Sequence, residues 1–268
     1  MGRTRGTFNT RGMWLAGGVL AAVLALTGYA VFNGDDGDGE STPAGSSGAR
    51  ASAPASPGPS ATTYAPPEDW TEPNSWAALP RGKRTDEHGS EVGFPQSTEG
   101  AVAMMAAMNT TVIEDKRSTV DEQLRIYHSY VGKADRSADN AEQIEHQAVD
   151  TDKDLAQQMG VRPGGPLPVG AYVRSTAIGF KVIKASDTEV SAWVLERVVQ
   201  KDGETKKEAG SYTRTLAGVQ WQDGDWKMTG AATTRALQNV NGKGRPAIVA
   251  PGDPEFNEAG WTAIREAS

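Results

Sequence analysis

The 268-residue chain contains no cysteine, which excludes disulfide bonds, thiolate metal ligands, a catalytic thiol and a lipid anchor attached to cysteine. It also lacks the P-loop sequence GxxxxGK(S/T), the dinucleotide-binding sequence GxGxxG and the nucleophile-elbow sequence GxSxG. These absences remove the common signatures of nucleotide-binding proteins and of many hydrolases. Stability must come from the hydrophobic core, and a domain of about 200 residues can bury enough surface for this.

Histidine is scarce, since His88, His128 and His146 are the only three in the chain. None of them lies at the i,i+4 or short-loop spacing that is typical of a metal-binding pair. We therefore predict that the chain has no metal site and no cofactor.

Basic residues are fewer than acidic ones: the chain has 27 lysines and arginines and 34 acidic residues, which gives a net charge of −7. Residues 1–33 carry three arginines and no acid, whereas residues 34–67 carry four acids and one arginine. These two blocks cancel, so residues 68–268 carry the whole net charge. Nucleic-acid binding needs clustered lysine and arginine, so we predict no nucleic-acid partner.

Long hydrophobic runs are limited to residues 14–32, which read WLAGGVLAAVLALTGYAVF and hold 19 residues without a charge. As a helix this segment would be about 28 Å long, close to the hydrocarbon thickness of a bilayer. Arginines precede it and aspartates follow it, which places residues 1–13 in the cytoplasm and residues 33–268 outside it. We predict a single-pass transmembrane helix, and the alternative is a signal peptide cleaved after Ala30.

Residues 33–67 consist largely of glycine, serine, alanine, proline and aspartate. Such a composition cannot offset the entropy lost on folding, so we predict a disordered linker that spans about 30 Å as a flexible coil. For residues 68–94 we predict an irregular strap, in which Trp70, Trp76 and Leu79 pack against the domain that follows.

Three helical segments are predicted next, each with apolar residues at intervals of three and four. Ser97 or Thr98 is placed to cap the first, and Ser118 or Thr119 to cap the second. The predicted bounds are 98–113, 119–131 and 139–159.

After residue 170 the apolar period becomes two, which predicts strands. Their predicted bounds are 172–183, 188–199, 205–216, and a hairpin of 219–221 with 226–231 around Asp223-Gly224. Residues 233–268 are predicted to form a C-terminal extension with a short helix at Glu258–Glu266.

Helices followed by antiparallel strands make residues 95–232 an α+β domain. We predict about three helices packed on a curved antiparallel sheet of about four strands. This order suggests the cone-shaped fold of the nuclear transport factor two-like superfamily.

Aromatic and arginine side chains on these elements are the candidate interface or pocket residues. Tryptophan on a strand is typical of core packing or of a contact surface, since tryptophan is enriched at binding hot spots. Arginines on neighbouring strands are expected to line one sheet face together with Arg197 and with acids such as Glu196. The candidates are Tyr127, Arg174, Trp193, Arg214, Trp221 and Trp226.

Several strings of the sequence resemble an uncharacterised family of single-pass membrane proteins from Streptomyces-type actinobacteria. The strings are GFPQSTEGAVAMMAAM (93–108), LPVGAYVRS (167–175), GFKVI (179–183), WQDGDWKM (221–228) and APGDPEFNEAGWTAIREA (250–267). Such proteins often accompany integrative or conjugative elements. The resemblance implies an external domain similar to the cone domains of type IV secretion inner-membrane components, which self-associate and contact other channel parts. It assigns no active-site residue.

We therefore predict a non-enzymatic, membrane-anchored assembly protein of the cell envelope, in an apparatus for conjugative transfer or a related secretion process. Membrane contact through residues 14–32 and protein partners or self-association follow from this prediction. One alternative is a cone-fold protein that binds a small ligand or performs acid–base chemistry, which needs a carboxylate or histidine beside a tyrosine. Its candidate residues would be Asp121, Tyr127, His128 and Tyr130, although one helix cannot point all four inward. Another alternative is an envelope sensor or scaffold unrelated to transfer.

Overall fold

A computed structural model describes residues 70–162 and 165–265 of the chain. In this part the chain forms an α+β domain with five α-helices and a mostly antiparallel sheet. The predictions of a cytoplasmic tail (1–13), a transmembrane helix (14–32) and a disordered linker (33–67) lie outside the described residues. None of the helices in the two described ranges combines the length and the apolar character that a membrane span requires.

The elements follow one another in a fixed order along the chain. They are β1 (Trp76–Ala78), β2 (Arg84–Thr85), β3 (Glu91–Val92), α1 (Thr98–Asn109), β4 (Thr111–Glu114), α2 (Thr119–Tyr130), a 3₁₀ turn (Lys133–Asp135), α3 (Ala138–Gln158), β5 (Ala171–Ala185), β6 (Glu189–Asp202), β7 (Ala209–Gln222), β8 (Asp225–Met228), α4 (Gly230–Val240), α5 (Pro254–Glu258) and β9 (Thr262–Arg265).

The main sheet has seven strands among the described residues, in the order β1-β9-β5-β6-β7-β8, with β4 also paired to β5. Neighbours are antiparallel except β1 and β9, which run parallel. The predicted number of about four strands was too small. The additional strands come from short segments, β1 in the strap, β4 after the first helix and β9 in the C-terminal extension.

Serine caps set the starts of the three long helices, as the sequence predicted for the first two. The Ser97 side chain accepts from the Gly100 N–H at 3.1 Å, and Ser137 caps α3 in the same way. Ser118 forms a capping box with Asp121, whose carboxylate accepts from the Ser118 N–H at 2.8 Å. The prediction that the first helix continues through residue 113 was wrong. Residues 110–113 are β-branched, and three of them extend into strand β4.

The predicted elements near the C-terminus need three corrections. Strand β8 ends at Met228 because Thr229 caps α4, accepting from the Ala232 N–H at 3.1 Å, so the strand predicted to reach residue 231 is shorter. A helix was predicted at Glu258–Glu266, but Thr262–Arg265 form strand β9, which pairs with Gly179 and Phe180 of β5. Helix α4 also runs across the predicted boundary at residue 232.

We call the side of the sheet against α1, α2 and α3 the inner face. Its core is filled largely by methionine and aromatic side chains. The fully buried members include Met104, Met105, Met108, Tyr130, Trp226 and Met228. Toward the far end of α3, Leu155 packs on Val173 and Val198 of the same face.

We call the opposite side the outer face. Helices α4 and α5 and residues 241–261 cover one half of it. The buried cluster there consists of Trp193, Leu195, Phe256, Trp261 and Ala263, and Trp76 of β1 packs against it. The strap and the C-terminal extension are therefore both part of the folded sheet structure.

Helix α4 lies directly on the backbone of β7 at Gly218, so we expect Gly218→Ala to destabilise the domain by about 2 kcal/mol. A Cβ atom at this position would lie 2.4 Å from the Ala232 carbonyl oxygen, which belongs to the helix backbone and cannot rotate away. Gly210→Ala in the same strand is the matched control, because a Cβ there meets nothing within 4 Å. Urea unfolding measures both variants. Equal midpoints for the two would contradict the close packing of α4 on β7.

Candidate interaction face

The second half of the outer face is not covered by any described element. Residues of β5, β6 and β7 that point the same way are paired across the strands, for example Thr176 with Arg197 and Arg197 with Tyr212. Side chains alternate along a strand, so these residues all point away from the helices on the inner face. We call this set the open face, and it consists of Tyr172, Arg174, Thr176, Arg197, Val199, Lys201 and Tyr212.

The open face carries three basic side chains although residues 68–268 are acidic as a whole, and Glu208 lies at its edge, where it accepts from the Tyr172 hydroxyl. The Arg174 guanidinium lies 4.1 Å from the centre of the Tyr172 ring and 3.5 Å from the Glu114 carboxylate. Arg197 and Lys201 have no ion pair or hydrogen bond from their side chains among the described residues. Two positive charges are therefore presented without an acidic partner, beside aromatic rings and the half-buried Val199.

Arg214 and Trp193 form the border between the open and the covered half. The Arg214 guanidinium carbon lies 5.3 Å from the Trp193 ring centre, and the guanidinium donates to the Pro246 carbonyl. Burial, together with the nearby charge of Arg245, lowers the pKa of Arg214. Trp193 is 8% exposed and belongs to the covered cluster. These two candidates thus hold the C-terminal segment on the sheet.

Tyr127, Trp221 and Trp226 lie on the inner side, apart from the other three candidates. The Tyr127 hydroxyl donates to the Ser137 carbonyl at 2.9 Å and accepts from the Ser137 N–H at 2.7 Å, which fixes the start of α3. Trp226 is fully buried and donates from Nε1 to the Pro95 carbonyl at 2.8 Å. The Trp221 ring packs edge-on against the Trp226 ring, with 5.5 Å between the ring centres. All three side chains contribute to packing in the core.

The four residues of the acid–base hypothesis do not meet in one pocket. Asp121 caps its own helix, Tyr127 bonds Ser137, and the Tyr130 hydroxyl donates to the Glu91 carbonyl at 3.1 Å. The space under the helices, where a cone-fold pocket would lie, is occupied by methionine and tryptophan side chains. Both observations count against an acid–base pair built from these residues.

His128 lines a separate polar cleft of about 240 Å³ beside the β7–β8 hairpin. Its ring stacks on His88 with 4.9 Å between centres, and burial, His88 and Arg136 lower its pKa. Lysines on the cleft are paired with acids, as Lys227 is with Asp225 at 3.1 Å. Among the described residues, no group of three or more metal-ligating side chains is arranged to hold a metal ion.

The expectation that Glu196 lies on the arginine face was wrong. Adjacent residues of a strand point to opposite sides, so Arg197 faces outward and Glu196 inward, where it is fully buried. The Ser175 hydroxyl donates to Glu196 Oε2 at 3.3 Å, whereas Oε1 has no hydrogen-bond partner among the described residues. Burial raises the pKa of Glu196 to about 8, against the weaker opposing effect of the hydroxyls of Thr215, Ser175 and Thr213.

Comparisons with protein-family models, with curated proteins and with solved structures found no match for the chain. The described part of the chain is an α+β domain whose sheet is covered on the inner face and half covered on the outer face. The open face is the part of this domain that is best suited to contact another molecule.

Proposed function

We propose that the chain is a membrane-anchored, non-enzymatic assembly protein of the cell envelope, and that its external domain binds other proteins through the open face. The setting we propose is a conjugative transfer or type IV secretion-like apparatus. The open face is the observation that carries the proposal. Arginine and tyrosine are enriched where proteins meet, and here they surround a half-buried aliphatic side chain on a rigid sheet.

The rigidity of the open face supports a role in binding. Its residues lie on the three longest strands, which are 14 or 15 residues each and are buttressed by helices on the inner side. A surface held by a paired sheet loses little conformational freedom on binding, which favours affinity.

The sequence of the N-terminal part supports the proposed location. Residues 14–32 are apolar and uncharged, and arginines on one side and acids on the other favour an external position for residues 33–268. The glycine- and proline-rich residues 33–67 would act as a spacer between membrane and domain. The resemblance to single-pass proteins that accompany conjugative elements supports the same setting.

A cone-like domain of the nuclear transport factor two-like type is part of this proposal. The order of elements supports it, since α1, α2 and α3 precede the long antiparallel strands and pack on one face of them. Strand β5 also has register shifts after Ala177 and after Val182, and such irregularities bend a strand.

Crosslinking from a single introduced cysteine tests the proposed function. The native chain has no cysteine, so Thr176→Cys provides a unique attachment point in the middle of the open face. In intact membranes, a photoactivatable crosslinker attached there should give discrete higher-mass adducts that contain this chain. Gln238→Cys, exposed on α4, is the matched control. Adducts no more frequent at residue 176 than at residue 238 would contradict the proposal.

A further inference from the structure

We infer that the open face of one copy binds helix α3 of a second copy, so that the protein associates head to tail. This inference rests on the proposed function and names the partner and both contact surfaces. It is drawn from two surfaces of opposite charge that lie on opposite sides of the same domain.

Helix α3 presents an acidic surface to solvent. Its buried side carries Ile144, Ala148 and Leu155. Exposed residues at spacings of three and four follow the other side, and we call them the acidic face of α3: Asp139, Glu142, Glu145 and Val149. Asp139 and Glu145 have no ion pair among the described residues, as is true of Arg197 and Lys201 on the open face.

An apolar side chain lies within each charged surface. Val149 is 36% exposed and is one of six large hydrophobic residues that are exposed in the described part of the chain. Val199 lies between Arg197 and Lys201 on the same side of β6. Apposing the two valines would place acidic side chains of α3 over the basic side chains of the open face.

The dimensions of the two surfaces are similar. From Asp139 to Val149 the helix rises about 15 Å. From Arg197 to Lys201 strand β6 advances about 13 Å, and β5 and β7 give the face a width of about 10 Å. That width equals about one helix diameter. Helix α4 already packs on the other half of the outer face, so a helix across this sheet is a geometry that the fold itself uses.

The two surfaces cannot meet within one chain. Helix α3 packs on the inner face through Leu155 and Val173, so its acidic face points away from the sheet on that side. The open face lies on the outer side. After the first contact, one copy therefore keeps a free acidic face and the other keeps a free open face. Such heterologous contacts produce a ring if they close and an extended row if they do not.

Two neutralised variants of the full chain in detergent or nanodiscs test this inference. The first variant carries Arg197→Gln and Lys201→Gln, and the second carries Glu142→Gln and Glu145→Gln. Native mass spectrometry or mass photometry at low ionic strength should find concentration-dependent oligomers of the unmodified chain. Each variant alone should be monomeric at the same concentration, with association weakened about tenfold or more.

An equimolar mixture of the two variants is the decisive sample. The intact helix of the first can bind the intact open face of the second, but neither chain can extend the contact. The mixture should therefore form heterodimers and no larger species. Lys184→Gln with Lys243→Gln, exposed and away from both surfaces, is the control and should oligomerise like the unmodified chain. Circular dichroism and thermal unfolding verify that every variant is folded.

Three results would overturn the inference. They are a monomeric unmodified chain, variants that still associate on their own, and a mixture that stays monomeric. If the unmodified chain stays monomeric but binds vesicles with anionic lipid, and the first variant does not, the partner is the membrane surface. If residue 176 crosslinks to a different protein in membranes, the proposed function stands and only self-association fails.

Discussion

Glu196→Gln should raise the free energy of unfolding by roughly 4 kcal/mol at pH 8 and by little at pH 4. Burial raises the folded-state pKa of this carboxyl from 4.5 to about 8. Between these two values the unfolded chain has released its proton and the folded chain retains it. The unfolded state then binds fewer protons, so stability falls as the pH rises from about 4.5 to about 8. Glutamine stays neutral in both states and removes this decline.

Urea unfolding of the native protein and of the Glu196→Gln variant, from pH 4 to pH 9, measures this effect. A glutamine at 196 keeps an acceptor for the Ser175 hydroxyl, so packing and hydrogen bonding change little. Glu189→Gln in the same strand is the control. The Arg235 guanidinium lies 2.6 Å from the Glu189 carboxylate and lowers its pKa, so Glu189→Gln should destabilise the domain above about pH 4.5 by an amount that stays constant up to pH 9, and its effect should fade only below that range. A parallel pH dependence in the Glu196→Gln and native proteins would disprove the neutral buried carboxyl.

Arg125→Gln should destabilise the domain by about 3 kcal/mol. The Glu122 side chain is 1% exposed, and the Arg125 guanidinium donates to its Oε2 from Nη2 at 2.7 Å and from Nε at 3.0 Å. The same guanidinium donates to the Ser90 hydroxyl at 2.9 Å and thus holds the strap against α2. Its removal leaves a buried carboxylate with only the half-exposed Arg117, 3.1 Å away.

Lys153→Gln is the matched control for Arg125→Gln. Lys153 also forms an ion pair three residues along a helix, 2.9 Å from Asp150, but both partners are exposed to solvent. Its loss should therefore change the stability far less than the loss of Arg125 does, because solvent screens the exposed pair. The double variant Glu122→Gln, Arg125→Met should recover much of the stability lost by Arg125→Gln, because no buried charge is left unpaired. If Arg125→Gln and Lys153→Gln lowered the free energy of unfolding by similar amounts, burial of the Glu122–Arg125 pair would be unimportant for stability.

Local signals in the sequence predicted the elements that depend on near neighbours. Ser97 and Ser118 cap their helices through contacts within three residues. Asp223 and Gly224 form the hairpin turn with positive φ angles of 54° and 80°, as the Asp-Gly pair indicated. These features could be read from a few adjacent residues because the interactions that stabilise them are equally local.

Strands β1 and β9 could not be read in this way. Trp76 pairs with Ala263, which lies near the other end of the domain's sequence, and β1 has only three residues. A pattern that short has no measurable period, so its conformation depends on the distant partner. The acidic segment around Glu258 favours a helix by local propensity, but pairing with Gly179 and Phe180 makes the following residues a strand.

The open face was partly predictable. Arg174, Arg197 and Arg214 point to one side because the registers of β5, β6 and β7 are in phase, as neighbouring alternating strands suggested. Strict alternation was also a signal against placing Glu196 with them. The extent of coverage was not predictable, since it depends on where residues 241–261 cross the sheet. The Arg214 side chain donates a hydrogen bond to that segment, at the Pro246 carbonyl, whereas Arg197 does not contact it through a hydrogen bond.

If the domain is tethered through its N-terminal side, as we propose, the parallel pairing of β1 with β9 has a mechanical consequence. Pulling on the chain before Trp70 first loads the edge of the sheet, where β1 pairs with β9. The load is shared by the Thr71 N–H bond to the Gly252 carbonyl at 2.7 Å and by Glu72, which accepts from the indoles of Trp70 and Trp76. This edge would release first under tension. The helices and the three long strands would remain folded while residues 70–78 lengthened the tether.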